Sequence, residues 1–410
     1  LWWFALFASA VFAAAIVADA VLGPKSNDVA VERTAPDPFS LRHDAVLAYL
    51  VRNRSAHAVT VGIVESPCAL LHYVDDEVRV AVLPKSESEI DRAVTPIARG
   101  TVELQRLFYW YENRFGLLRR RRRIAIPQEV RVYPDLSAVE RYGTLHARNR
   151  LIEAGLRRMR LRGAGTELES LREWVAGDAF RAINWKATAR RGHVMVAQYE
   201  VERSQNVMIL LDAGRLMTPR VDEQRKFDYA ITAAMSVASI AALANDKVGI
   251  VAFASDILHA YAPRSSGKSL SRIAGEVHAL EPRFEESDYD RAFAYVRSHV
   301  HKRSLVIFFT DMVDPVAQSA VLAQIGTLAR RHLVVCAFMN DAAIDKAIER
   351  DPHTPADVFA TGVALELREE RLVAAAALRR LGVQVIDVPA HDLTTALIDR
   401  YLQIKQRGLI

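Results

Sequence analysis

The chain has 410 residues, a formal net charge of +5, and is 51% hydrophobic and 25% charged. That balance excludes a disordered polymer, and the length allows about two to four domains. With only Cys68 and Cys336, far apart, a disulfide framework and a cysteine-based zinc site are excluded, and both cysteines read as small core residues.

From Leu1 to Leu22 only Ser9 and Asp19 interrupt an apolar run. As a helix it would extend roughly 33 Å, enough to cross the hydrocarbon core of a bilayer. Trp2 and Trp3 suit one interface, and Gly23 and Pro24 end the helix at the other. Residues 1–22 therefore read as a transmembrane helix. A signal peptide would instead call for a basic start, a shorter apolar core and a cleavage site.

Residues 28–133 read as strands: "AVLAYLVRNRS", "AVTVGIVES" and "EVRVAVLP" are short β-prone segments separated by turn-forming residues. The spacing predicts a β-sandwich, immunoglobulin-like, acting as a spacer or binding module. Arg119 to Arg123 form a run of five arginines. Such a run can clamp nucleic acid or anionic lipid, or simply be a solvated strand end. No RNA-binding motif accompanies it, so nucleic acid is the weaker reading. Across residues 136–203 the chain first turns helical and basic, over Ser137 to Arg160, as a linker helix at a surface or near a membrane.

From residue 204 to 410 strand and helix patterns alternate. Strands are expected at "VMILLD", "KVGIVAFAS", "SLVIFFTD", "LVVCAFM" and "VQVIDVP", with "ILHAYAP" as an antiparallel edge. Helices are expected over 223–244, 268–280, 289–301, 316–330, 354–381 and 393–406. This is the pattern of a doubly wound, mostly parallel α/β sheet covered on both faces. In such sheets ligands bind beyond the carboxyl ends of the strands where the strand order reverses. Asp212 and Asp311 occupy such ends, and "ESDYD" brings Ser287, Asp288 or Asp290 into range. Oxygen ligands of this kind suit magnesium, manganese or calcium, whereas the same aspartates are also good helix caps. No P-loop, dinucleotide fingerprint or nucleophile elbow is present, and the histidines are scattered.

The stretch from Gly163 to Met217 contains "GTELESLREW", "GDAFRAINWKATAR" and "ERSQNVMILLD". It resembles the signature of the bacterial domain-of-unknown-function-58 family, whose members carry a von Willebrand factor A-like domain. The resemblance implies that fold, and a MoxR-type AAA ATPase as partner in assembly, maturation or envelope stress functions. It also implies a magnesium motif of the form D-x-S-x-S, with a threonine and an aspartate from later loops. Here Asp212 fills the first position, but Gly214 and Leu216 replace both serines; Asp288 stands near the threonine loop and Asp311 fits the last position. Arg215 beside Asp212 could pair with Asp212 or Asp311 and take the cation's place. A metal-free crevice is thus favoured over a weak magnesium site.

In "GDAFRAINWKATAR", Asp178, Arg181, Trp185, Lys186 and Arg190 read as a structural clasp in which Trp185 covers apolar surface and arginines pair with acids. A partner-docking surface is the alternative. The expectation is a bacterial inner-membrane interaction or adaptor protein, with its soluble part cytoplasmic and not an enzyme. The alternative is a divalent-metal-dependent hydrolase or nuclease using Asp212, Asp288 and Asp311.

Overall fold

The computed structural model describes residues 2–137, 139, 167–175, 178, 180, 183–200, 204–222, 224–264, 267–311, 315–340 and 342–408. The chain forms two compact units: Leu1–Leu136 with Ala274–Leu280, and Ser137–Ile273 with Glu281–Ile410. The basic linker helix expected over 137–160 lies almost wholly outside the described residues.

The first unit opens with helix α1 (Trp2–Leu22), apolar and long enough to cross a membrane and exposed along most of its length. Nine strands follow: β1 (Val29–Thr34), β2 (Phe39–Ser40), β3 (Ala45–Asn53), β4 (Val59–Glu65), β5 (Leu71–Tyr73), β6 (Val78–Val82), β7 (Ser86–Pro96), β8 (Gly100–Glu112) and β9 (Arg119–Tyr133). They make a four-stranded sheet in the order β1-β3-β7-β5 and a five-stranded sheet in the order β2-β9-β8-β4-β6. Alternation does the sorting: Leu47, Tyr49 and Val51 of β3 are buried, and the residues between them are partly open. These side chains share one core with Val61, Leu107 and Val130 of the other sheet, so the unit is a two-sheet sandwich. The five-arginine run is the start of β9, paired with the end of β8.

In the second unit β10 (Glu167–Glu173) and β11 (Met195–Glu200) form an antiparallel pair that encloses the short helix α2 (Trp185–Arg191). Along the chain then come β12 (Asn206–Asp212), β13 (Arg220–Val221), β14 (Gln224–Arg225), α3 (Lys226–Leu243), β15 (Lys247–Phe253), β16 (Ile257–Arg264), α4 (Gly267–Val277), which from Ala274 on groups with the first unit, and α5 (Tyr289–His299). The chain continues through β17 (Leu305–Phe309), α6 (Pro315–Ala329), β18 (Leu333–Asn340), α7 (Ala342–Glu349), α8 (Pro355–Arg380), β19 (Gln384–Pro389) and α9 (Leu393–Arg407). Helix α7 has no counterpart in the sequence expectation. Helix α5 ends at His299, before His301.

Six strands form one sheet in the order β16-β15-β12-β17-β18-β19. All neighbours are parallel except β16, an antiparallel edge on β15. Central strands covered on both faces need apolar residues without alternation, and β12 and β17 are buried throughout or nearly so. Met208 and Leu210 join a core with Phe293 of α5, Ile325 of α6 and Leu378 of α8. Val207, Ile209 and Leu211 point the other way and are equally buried, on the side where α3 packs against β12 and β15 and α9 packs on α3. The strand order reverses between β12 and β17, so the carboxyl ends of those two strands flank the switch point.

Candidate functional site

Asp212 ends β12 and is completely buried. Its Oδ1 accepts the Gly214 amide at 2.9 Å and the Ser287 hydroxyl, and its Oδ2 accepts Thr310 Oγ1 at 2.7 Å and the Tyr289 hydroxyl at 2.9 Å. Both oxygens are thus fully engaged by protein donors. Burial pushes the Asp212 carboxyl above its ordinary range, and the bonds from Ser287, Gly214, Thr310 and Tyr289 oppose this without cancelling it. Burial likewise holds the Tyr289 phenol far above its ordinary range, so it stays a neutral donor.

The backbone aligns these groups. Ala213 N donates to Phe253 O at 2.7 Å, Arg283 N to Ala213 O at 2.7 Å and Asp288 N to Ala254 O at 2.8 Å. The loops after β12 and β15 and the approach to α5 are therefore knitted together, and Ser287 faces Asp212 as a consequence.

Gly214 is held to glycine by the group beside it. A methyl group on its Cα would fall on Ser287 Oγ and come within 2.9 Å of Glu285 O. Glycine at 214 thus leaves the space in which Ser287, from another loop, donates to Asp212. Gly214→Ala is expected to cost about 1–3 kcal/mol through overpacking. Thermal unfolding would show it, and Ser287→Gly in the same chain should recover part of the loss. Leu216 is partly buried and packs against the core cluster.

Asp311, just beyond β17, is also buried. Lys226, the first residue of α3, places its ammonium against Asp311 Oδ2, and Arg371 of α8 approaches Oδ1 at 3.6 Å. Arg371 also donates from Nε to Asp387 Oδ1 at 3.0 Å and lies over the Phe338 ring at 5.9 Å. The ammonium facing Asp311 is therefore Lys226, a residue without any motif in the sequence. Arg215, expected to fill that role, engages Glu286, and its amide donates to Glu285 O at 2.8 Å.

Asp288 does not join Asp212: it caps α5, accepting Arg291 N at 2.9 Å and lying 3.5 Å from Arg291 Nε. Asp290 sits exposed in the first turn of α5. The donor set does not fit a divalent cation. Asp212 is filled by four donors, Asp311 is neutralised by Lys226 and Arg371, and Asp288 is a cap. Among the described residues no group of three or more His, Cys, Asp or Glu side chains is arranged to hold a metal ion.

Asp212 makes a pH prediction. Its folded-state pKa lies above 3.8, so the stability it contributes is present below that pH and is lost as pH rises through the folded value. Asn at 212 can accept at the Gly214 and Ser287 side and donate to Thr310 and Tyr289, whose hydroxyls can accept. Relative to wild type, Asp212→Asn should therefore gain stability as pH rises above 3.8. A wild-type advantage that grows over the same range, in denaturant titrations, would contradict this.

Of the charged and aromatic residues in the segment before β12, Asp178 accepts two hydrogen bonds from Arg172, at 2.7 and 2.6 Å, and one from Val175 N. Asn184 caps α2 by accepting Ala187 N at 3.0 Å, and α2 carries Trp185, Lys186 and Arg190. Trp185 is 68% exposed and Phe180 77%, so Trp185 stands in the open instead of covering apolar surface. Arg181 lies outside the described residues.

The model of the family described as "Protein of unknown function DUF58" matches residues 170–348, which include α2, the Asp212 pocket and Asp311. The uncharacterized protein YeaD of Bacillus subtilis (strain 168) is 25% identical over 151 residues, covering 37% of this chain and 29% of that protein. The chain thus spans less than a third of that relative in the matched stretch. Among solved structures, a segment of Escherichia coli alpha-2-macroglobulin is 14% identical over 26% of this chain and 16% of its own, with a TM-score of 0.21. The PapD-like domain 7 of human CEP192 is 11% identical over 26% of this chain and 87% of its own, also at 0.21. The likenesses at this score are too slight to define a fold.

Proposed function

We propose that this chain is a membrane-anchored interaction protein whose α/β unit, von Willebrand A-like, serves as an adaptor for a MoxR-type AAA ATPase. It is placed on the cytoplasmic side of a bacterial inner membrane and acts in assembly, maturation or envelope stress. The observation that carries this reading is the exposed aromatic surface of the family-matched segment, where Phe180 and Trp185 are left open. Large apolar side chains held open on a capped helix and its approach are a typical partner surface. The fixed strand ends agree with a rigid platform: Asp212 is held by four neutral donors of the protein and Asp311 by two of its cations.

The test is co-purification of the full chain in detergent with a MoxR-type ATPase, with and without nucleotide. Phe180→Ala with Trp185→Ala should lose most of the retained ATPase while melting as wild type does. No association in any nucleotide state sinks the reading. A variant that melts early returns these side chains to a structural clasp.

A further inference from the structure

Helix α1 is exposed except near its end, where Asp19 is completely buried. The Asp19 carboxylate accepts the backbone amides of Phe115 at 2.7 Å, Leu117 at 3.1 Å and Leu118 at 2.9 Å. Asn113 Nδ2 donates to Asp19 O at 3.0 Å, and Arg120 donates to Ala20 O at 2.8 Å. The turn between β8 and β9 is therefore clasped around the last turn of the apolar helix. An isolated acid in such a helix is costly in lipid, and three backbone donors explain why this one is tolerated.

That tie fixes a depth. Asp19 lies three residues before Leu22, or about 5 Å along the axis, from the helix end. If α1 crosses the bilayer, as the proposed function holds, the turn sits at the boundary between acyl chains and headgroups. Phe115 and Leu117 of that turn are 54% and 43% exposed.

From the same turn β9 departs with Arg119 to Arg123. Arg119 pairs with Glu112 and lies over the Trp110 ring at 3.7 Å. Arg121 stands opposite Trp110 and Arg123 opposite Phe108, on the outer face of the sheet, while Arg122 stands opposite Tyr109 on the other. Among the described residues no carboxylate pairs with Arg121, Arg122 or Arg123. Even on an upright strand, Arg123 is at most about 17 Å beyond Leu118, inside the ionic atmosphere of the headgroup layer, and any tilt of the strand brings it closer.

We propose that the β8–β9 hairpin is a second membrane-binding surface of this chain. Phe115 and Leu117 enter the interface beside the helix end, and Arg121 to Arg123 bind the phosphates of anionic phospholipids. The surface pairs exposed apolar side chains with unpaired cations next to an apolar helix, a combination that suits a bilayer better than nucleic acid.

The experiment uses the full chain with Cys68 changed to serine, Cys336 being buried, in vesicles of phosphatidylcholine with phosphatidylglycerol. An environment-sensitive fluorophore is placed by Ala13→Cys, Phe115→Cys, Leu117→Cys or Ala98→Cys, and is read with nitroxide-bearing lipids. Position 98 precedes the far end of β8 and is the reference. Labels at 13, 115 and 117 should be quenched and the label at 98 left bright. In pure phosphatidylcholine, or with Arg121→Gln, Arg122→Gln and Arg123→Gln together, labels at 115 and 117 should lose most of their quenching while the label at 13 keeps it. Quenching at 13 with both hairpin labels as bright as 98 overturns the proposal and leaves the anchor standing. Brightness at all four positions removes the anchor and the proposal with it. Hairpin quenching indifferent to lipid charge and to the arginines overturns the headgroup assignment. If the triple variant also lost an oligonucleotide that the parent retained, the run would be a nucleic-acid surface.

Discussion

Replacing Glu65 with alanine is expected to destabilise the sandwich by about 3–5 kcal/mol and lower its melting by roughly 10 °C or more. Arg33 and Glu65 are both buried between the sheets. One guanidinium nitrogen of Arg33 donates to both Glu65 oxygens, at 2.9 and 2.8 Å, and the other donates to Leu104 O at 2.8 Å and to Ile126 O. Tyr49 adds a hydroxyl to Glu65 at 3.1 Å, and burial keeps that phenol neutral. The pair links β1 of one sheet to β4, β8 and β9 of the other. Alanine at 65 leaves a full charge buried without its counterion, which is the costly case. Glu65→Gln keeps most hydrogen-bond geometry and should cost less. Arg33→Met with Glu65→Leu should recover part of that loss, because it leaves no buried charge, although the Leu104 and Ile126 carbonyls and the Tyr49 hydroxyl lose their partners. Calorimetry of the three variants decides this. If the double variant melts as low as Glu65→Ala, the loss belongs to packing and the charge argument fails.

Local pattern made much of this architecture readable. The alternation in β3, the unbroken apolar runs of β12 and β17, and the acids ending "ILLD" and "FFTD" lie in single segments, and each is where the periodicity places it. What the sequence left hidden is long-range. The hydroxyls for Asp212 arrive from Ser287, 75 positions later, and from Tyr289 and Thr310. The cation for Asp311 arrives from Lys226, 85 positions earlier, where a lysine opening a helix carries no signal. Asp19 meets its amides at 115–118, nearly a hundred residues on. One local sign was available: a glycine two residues after a buried strand-end acid is consistent with another group occupying the space beside it. Helix α7, with eight residues, is too short for its apolar period to stand out.

Asp311→Ala is the second large effect expected, a loss of about 3–5 kcal/mol from the α/β unit. Asp311 is the anion between two buried cations, Lys226 and Arg371, and Arg371 reaches Asp387 as well. Removing the carboxylate leaves an ammonium and a guanidinium facing each other with water excluded. Lys226→Met removes one cation but leaves Asp311 near Arg371, so its loss should be smaller. Lys226→Met with Asp311→Leu should recover much of the difference, since Arg371 retains Asp387. The same cluster bears on metal. A magnesium ion bound at a hundred times its dissociation constant would stabilise the fold by about 2.7 kcal/mol. Because Lys226 already supplies the positive charge, neither magnesium nor a chelator should move the wild-type melting. A magnesium-dependent rise that vanishes in Asp311→Ala would mean that the ammonium yields its place, and the strand ends would then be an ion-gated surface in place of a fixed one.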